Sequence, residues 1–300
     1  MDKVRIAAVF ATMNRGQTAV ACVRALAAQT RPPEMVVVAD NVSSDDTVAL
    51  LGGLVGLPFE LVVHRMPENA GNAGGVQSAM ELAYAAGADA AWILDDDSWP
   101  RPDALAALME HYRPEWVVHP VQWDPARRDL TWPVQFGSGD GWDLAMRVDE
   151  LPEGAAFPSR GGWTGAIISK RIHEAVGPVM GELFIRGEDE EYPWRIARGG
   201  FRTLCVRGAV LDHPGPPRLV HWRLGGKAFF FEPGLSEWKL HYKVRNIVWL
   251  KKRESGALKA VLAALAYLIA VVRWDGFAGI PVVLRAVRDG WRGRLGRIEP

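Results

Sequence analysis

The chain is predicted to be an α/β protein with helices flanking a sheet over residues 1–235 and a helical region over residues 236–300. Three observations predict this. Short β-branched runs alternate with helix-like stretches through the first hundred residues, which is the pattern of βαβ units. Polar residues gather where four successive runs end. Toward the C-terminus the sequence changes to long apolar stretches studded with Lys and Arg.

Val4–Phe10, Met35–Ala39, Phe59–Val63 and Ala90–Leu94 read as strands, with Thr18–Ala28, Asp46–Leu54 and Gly75–Ala86 as the intervening helices. In such sheets the ligand crevice lies beyond the carboxyl ends of the strands. Thr12, Asn14 and Arg15 follow the first strand, Asp40 and Asn41 the second, and Glu68 and Asn69 the third. A shared binding crevice is therefore expected. The stretch Asn69–Gly75 is built of small residues, which allows close backbone approach to a ligand, although it lacks the spacing of a dinucleotide or Walker loop. It reads equally as a tight strand-to-helix turn.

Asp95-Asp96-Asp97 closes the fourth strand. Three adjacent carboxylates repel one another unless a cation or water absorbs the charge, and alternation along a strand would put Asp95 and Asp97 on one side. Their oxygens suit Mg²⁺ or Mn²⁺. The same residues also read as a solvated turn capping the helix after Pro100 and Pro102.

From His119 to Arg160, prolines, glycines and tryptophans break any sustained period, so irregular strands and a mobile wall are expected. Trp123, Trp132, Trp142 and Trp163 can stack on sugar faces or simply pack. A second acidic cluster, Glu188-Asp189-Glu190-Glu191, precedes Pro193, which is compatible with a first helical turn. Four acids exceed what a cap needs. One of them near a cation and a sugar hydroxyl could serve as a general base. His213 ends a further apolar run and could add an imidazole to the same metal, although a lone His before Pro is commonly structural.

Zero formal charge conceals an asymmetry: from Lys239 onward there are 13 Lys/Arg against 4 Asp/Glu, a net +9, which leaves −9 on the residues before it. Cys22 and Cys205 are the only cysteines, so neither a disulfide framework nor a cysteine zinc site is expected. The opening Met1-Asp2-Lys3 leads into the first strand without a signal-peptide core, and a cytoplasmic protein is expected. Ala257–Val272 is apolar except for Lys259 and shorter than the roughly 20 residues that span a bilayer. Its basic, aromatic surroundings predict a region lying on the inner face of the cell membrane.

In order along the chain, Val9–Arg15, Val36–Asn41, Asn69–Gly75, Asp95–Asp97, Trp163–Ala166, Phe184–Asp189, His213–Gly215 and Tyr242–Asn246 resemble the motifs of family 2 glycosyltransferases with the GT-A fold. Within that family the chain is most similar to bacterial galactofuranosyltransferases and rhamnosyltransferases acting on lipid-linked acceptors. The resemblance implies a GT-A nucleotide-sugar-binding mixed sheet and an inverting, metal-dependent transfer from a nucleoside-diphosphate sugar. UDP-galactofuranose is favoured and dTDP-rhamnose is the alternative. It implies Mn²⁺ or Mg²⁺ on Asp95, Asp97 and His213, and a donor bound by Thr12, Arg15, Asp40, Asn69, Asp95 and Asp96. Asp189 is the implied base, with Trp163 and Glu188 on the acceptor side; a one-residue slip would make Glu188 or Glu190 the base.

The implied partners are the nucleotide-sugar donor, a polyprenyl-linked glycan acceptor and the membrane surface, with no nucleic acid. Homo-oligomerisation stays open. Two other classes compete: a non-catalytic nucleotide-sugar-binding protein, and a nucleotidyltransferase, which ordinarily carries a glycine-rich basic loop where this chain has Thr12-Met13-Asn14-Arg15.

Overall fold

The computed structural model describes residues 4–139, 141–224 and 227–298. Met1-Asp2-Lys3, ahead of the first strand, lie outside the described residues. The chain divides into two compact units, one comprising residues up to Met180 with Asp189–Gly215, the other Gly181–Glu188 with Pro216 onward.

In the first unit the order is β1 (Ile6–Thr12), α1 (Gly16–Ala27), β2 (Met35–Asp40), α2 (Thr47–Gly52), β3 (Glu60–Arg65), α3 (Gly71–Ala85) and β4 (Ala90–Ile93). Then follow β5 (Trp99–Pro100), α4 (Ala104–His111), β6 (Trp116–Asp124), β7 (Asp129–Leu130), β8 (Val134–Ser138), β9 (Gly141–Ala145) and β10 (Ala156–Arg160). β11 (Ile167–Ser169), α5 (Lys170–Val176), α6 (Glu188–Arg198) and β12 (Arg202–Asp212) complete it. One mixed sheet runs β3-β2-β1-β4-β11-β6-β12-β10-β8-β9. Its first four strands are parallel, and β11 enters antiparallel beside β4.

β1, β2 and β4 are buried along their whole length, as befits continuous apolar runs covered on both faces. Phe10, Trp92, Leu94, Leu105 and Leu211 share the core there. Helix α3 approaches closely because of Gly75: a Cβ at that position would stand 2.6 Å from the Ala11 Cβ and 3.0 Å from the Asn41 Nδ2. At Gly75 the absent side chain therefore admits neighbouring protein.

Two local expectations are corrected. The aspartate turn does not cap the helix after Pro102, since α4 begins at Ala104 behind Asp103. Helix α6 begins at Glu188, so Pro193 lies inside it, where it withholds one amide from the hydrogen-bond ladder. The segment expected to build irregular strands, His119–Arg160, does hold strands: much of β6 and all of β7 to β10.

The second unit contains the hairpin β13 (Val220–Leu224) and β14 (Lys227–Phe231), then α7 (Glu237–Ser255), α8 (Ala257–Trp274) and α9 (Ile280–Trp291). Its core joins Phe231 to Leu240, Val244, Tyr267, Val271 and Val283, with Trp222 and Phe229 packed alongside. The boundary between the compact units falls at Pro216, ahead of the expected residue 235/236 division, as Phe231 of the hairpin is buried in the core of the C-terminal helices and Trp222 and Phe229 pack, partly buried, against it.

Candidate active site

The order β3-β2-β1-β4 places the turn after β1 beside the turn after β4, the point at which such a sheet presents its ligand crevice. β4 ends at Ile93, so Asp95–Asp97 stand on a turn and not on a strand. Turn geometry, rather than strand alternation, separates their carboxylates.

Asp96 points into the protein. It accepts a hydrogen bond from the Thr12 hydroxyl at 2.8 Å and an ion pair from Arg15 at 2.8 Å. Arg15 also reaches Asp97 at 2.9 Å. Burial pushes the Asp96 carboxyl up to about 6, although Arg15 and Thr12 pull it down, and its neighbouring aspartates push it further up. Both Thr12 and Arg15, two residues assigned to the donor, are thus engaged in holding the aspartate turn.

Asp95 accepts a hydrogen bond from the Thr164 hydroxyl at 2.7 Å. The turn before β11 puts Thr164 there: the Ala166 amide donates back to the Trp163 carbonyl, the Gly165 amide to the Ile93 carbonyl and the Ile93 amide to that of Ala166. Gly165 is required, because its φ of +86° is left-handed and a Cβ would lie 2.4 Å from Pro120. Burial raises the proton affinity of Asp95, opposed by His213 and Thr164 and reinforced by the charges of Asp97 and Asp189.

His213 arrives from the far side of the sheet. β12 pairs with β6 and β5 up to Asp212, the His213 amide donates to the Trp123 carbonyl, and the Thr131 hydroxyl donates to the carbonyl of His213. Its Nδ1 stands 3.2 Å from the Ser98 hydroxyl and 3.5 Å from an Asp97 oxygen. Asp95, Asp97 and His213 each offer a ligand atom, and these atoms lie within 4.8 Å of one another. Two carboxylates and an imidazole at this spacing suit a divalent cation such as Mn²⁺ or Mg²⁺.

In the second acidic cluster burial separates the four acids. Glu188 and Glu191 are buried, whereas Asp189 and Glu190 are exposed. Arg195 grips Glu191 with its Nε. The charge of Asp189 adds to the rise in the proton affinity of Asp95. Trp163 is buried and meets the Tyr192 ring edge-on at 6.1 Å, with no protein acceptor for its indole N–H among the described residues.

The remaining residues expected on the donor side, Asp40 and Asn69, hold turns. Asp40 is fully buried and accepts the Ser43 amide. Asn69 accepts the Gly71 amide and reaches the Met13 sulfur. Thr164, Ser98 and Thr131 were not anticipated from sequence, since a lone hydroxyl carries no spacing signal. Only Thr164 stood inside a quoted motif.

Residues 8–146 match the family model Glycosyl transferase family 2. Galactofuranosyltransferase GlfT1 of Mycolicibacterium smegmatis is 28% identical over 255 residues, covering 80% of this chain and 81% of the relative. S. aureus TarS superposes with a TM-score of 0.55 at 14% identity, covering 90% of this chain and 44% of that one. The mannosyltransferase PcManGT of Pyrobaculum calidifontis, solved with GDP-Man and Mn²⁺, gives a TM-score of 0.55 at 16% identity, covering 99% and 77%. The chain spans less than half of the TarS chain. The fold is of the GT-A type, and the family match with the homology makes the chain a glycosyltransferase. More narrowly, the chain carries a glycosyl transferase family 2 domain and is homologous to galactofuranosyltransferases.

Proposed function

We propose that this enzyme transfers a hexosyl group, galactofuranose in first place, from a nucleoside diphosphate to a hydroxyl of a lipid-linked glycan, with inversion at the anomeric carbon. The observation that carries the reading is the cluster of Asp95, Asp97 and His213 within 4.8 Å of one another, with the charge of Asp189 acting on Asp95. The homology to a galactofuranosyltransferase supports the sugar.

In this reading Asp189 takes the proton of the acceptor hydroxyl. The oxygen so freed forms a bond to the anomeric carbon from the face opposite the diphosphate, whose C–O bond breaks with the electron pair leaving on phosphate oxygen. A divalent cation held by Asp95, Asp97 and His213 would supply Lewis-acid stabilisation of that charge. Asp96, buried between Thr12 and Arg15, keeps the turn in place. Thr164 and Ser98 orient Asp95 and His213. Alignment of two bound reactants itself supplies much of the rate.

The second unit offers a surface for a membrane-borne acceptor. Helix α8 is long and apolar enough, by length and composition, to cross a membrane. However, Ala260, Tyr267, Ala270 and Val271 are buried in the unit's own core. The opposite stripe, Leu258, Leu262, Leu265 and Ile269, is exposed, as are Phe277 and Leu284. With the Lys and Arg of this region, such a stripe favours lying in an anionic headgroup layer.

The test is transfer from a panel including UDP-galactofuranose and dTDP-rhamnose, with Mn²⁺, to a polyprenyl-diphosphate-linked glycan. Product from UDP-galactofuranose is expected, and Asp189→Asn should lower turnover about 10²- to 10⁴-fold with donor binding kept. Wild-type turnover in that variant would overturn the base. Exclusive use of dTDP-rhamnose would overturn the sugar.

A further inference from the structure

The segment leading into helix α6 is held in a conformation that it would not keep alone. Phe184 has φ +65°, Arg186 +64° and Gly187 +113°. Residues bearing a Cβ avoid the left-handed region, so two of them within three positions must be imposed by their surroundings.

The constraint comes from one face of α7. The side-chain amide of Asn246 donates to the Leu183 carbonyl at 2.9 Å, to that of Ile185 at 3.1 Å, and to that of Arg186. Two N–H groups are shared among three carbonyls, which only a folded-back peptide can present. Arg245 donates to the Leu183 carbonyl at 3.1 Å and to that of Gly296 at 2.6 Å, while its Nε holds the Asn246 oxygen at 2.8 Å. That last bond leaves the Asn246 nitrogen facing the loop.

Neighbouring contacts point the same way. The Phe184 ring stacks on Tyr242 with centroids 5.0 Å apart, and Arg186 forms a two-pronged pair with Glu232, which Lys243 also contacts. A Cβ on Gly187 would meet the Asn246 Cβ at 3.0 Å. Arg245 is 1% exposed and Asn246 0%. A charged group and an amide taken out of water to bind main-chain carbonyls are a costly way to secure an ordinary turn.

We infer that Arg245 and Asn246 are positioning residues for Asp189: they hold Leu183–Gly187 in its left-handed path and thereby set where α6 starts and how its second residue is presented. The inference rests on the reading of Asp189 as the base. It assigns a task to the Tyr242–Asn246 motif that lies outside both the metal cluster and the donor side.

The test is a double-mutant cycle with the full chain, UDP-galactofuranose as donor and Mn²⁺ present. Asn246→Ala should lower kcat about 10- to 100-fold while leaving the affinity for UDP with Mn²⁺ within about twofold. In the Asp189→Asn background the same substitution should change the residual rate by less than about threefold. Hydrogen exchange at residues 184–187 should quicken at least about tenfold, with β4 unchanged. Should Asn246→Ala fail to fold, Gly187→Ala presses on the same contact from the loop side and carries the same expectations.

An equal loss in both backgrounds, or an unchanged kcat, overturns the positioning role. Wild-type turnover of Asp189→Asn alone would remove the base reading and the clamp's purpose with it. A normal Asp189→Asn loss with no effect of Asn246→Ala would remove the clamp alone.

Discussion

Replacing Thr164 by Val keeps the shape of the side chain and deletes the hydroxyl that donates to Asp95 at 2.7 Å. A hydrogen bond to a charged group is worth about 1.5–3 kcal/mol, or about 10- to 150-fold in an equilibrium constant. Asp95 is mostly buried but keeps some contact with water, so water replaces part of the lost bond and the lower end applies, about tenfold. That matches the usual effect of removing a group that orients a metal ligand. The readout is calorimetric titration of Mn²⁺ in the presence of UDP, alongside turnover as a function of Mn²⁺. The dissociation constant should rise about tenfold, with kcat at saturating Mn²⁺ within about threefold of wild type, and Thr164→Ser should restore the affinity. Unchanged Mn²⁺ affinity, or a turnover loss that excess Mn²⁺ does not recover, refutes the assignment of Asp95 to the metal.

Gly75→Ala would force a Cβ to 2.6 Å from Ala11 and should destabilise the first unit by about 1–3 kcal/mol, read from denaturant midpoints. His119, whose Nε2 lies 2.7 Å from the Ser159 hydroxyl, is buried, and burial pulls its pKa down to about 4. The unfolded chain binds that proton near pH 6.5 and the folded one only near 4, so stability falls as pH drops through this window, by up to about 3 kcal/mol. His119→Asn should flatten that slope, and an identical slope in the variant would exclude His119 as its source. Replacing Leu258, Leu262, Leu265 and Ile269 by Ser should abolish flotation with anionic liposomes without unfolding the second unit, because these side chains are exposed. Undiminished flotation would place the membrane contact elsewhere.

Most of the first unit was legible because its signals are local. Continuous apolar runs of strand length, helical stretches between them and a switch to acids at the end of Ala90–Ile93 are properties of short windows. The same windows misled where two local rules competed. Pro193 reads as a helix start, yet α6 is already five residues long there, and burial of Glu191, Tyr192 and Ile196 around it offsets the single lost amide. Residues 220–231 fall within the 1–235 region expected to form the sheet unit, but burial of Phe231 among the C-terminal helices, with Trp222 and Phe229 packed against that core, joins their hairpin to the second unit.

What the sequence determined by itself was the alternation of elements and the chemistry of the groups at strand ends, because both follow from side-chain type and spacing. What only the tertiary structure decided was which of those groups share a space. Thr164 reaches Asp95 across 69 positions of chain and Ser98 reaches His213 across 115; of the four acids in Glu188–Glu191, Asp189 and Glu190 are exposed while Glu188 and Glu191 are buried. Such selections depend on the register of strands and the direction of turns, which are set by packing over the whole unit, and no window of neighbouring residues contains that information.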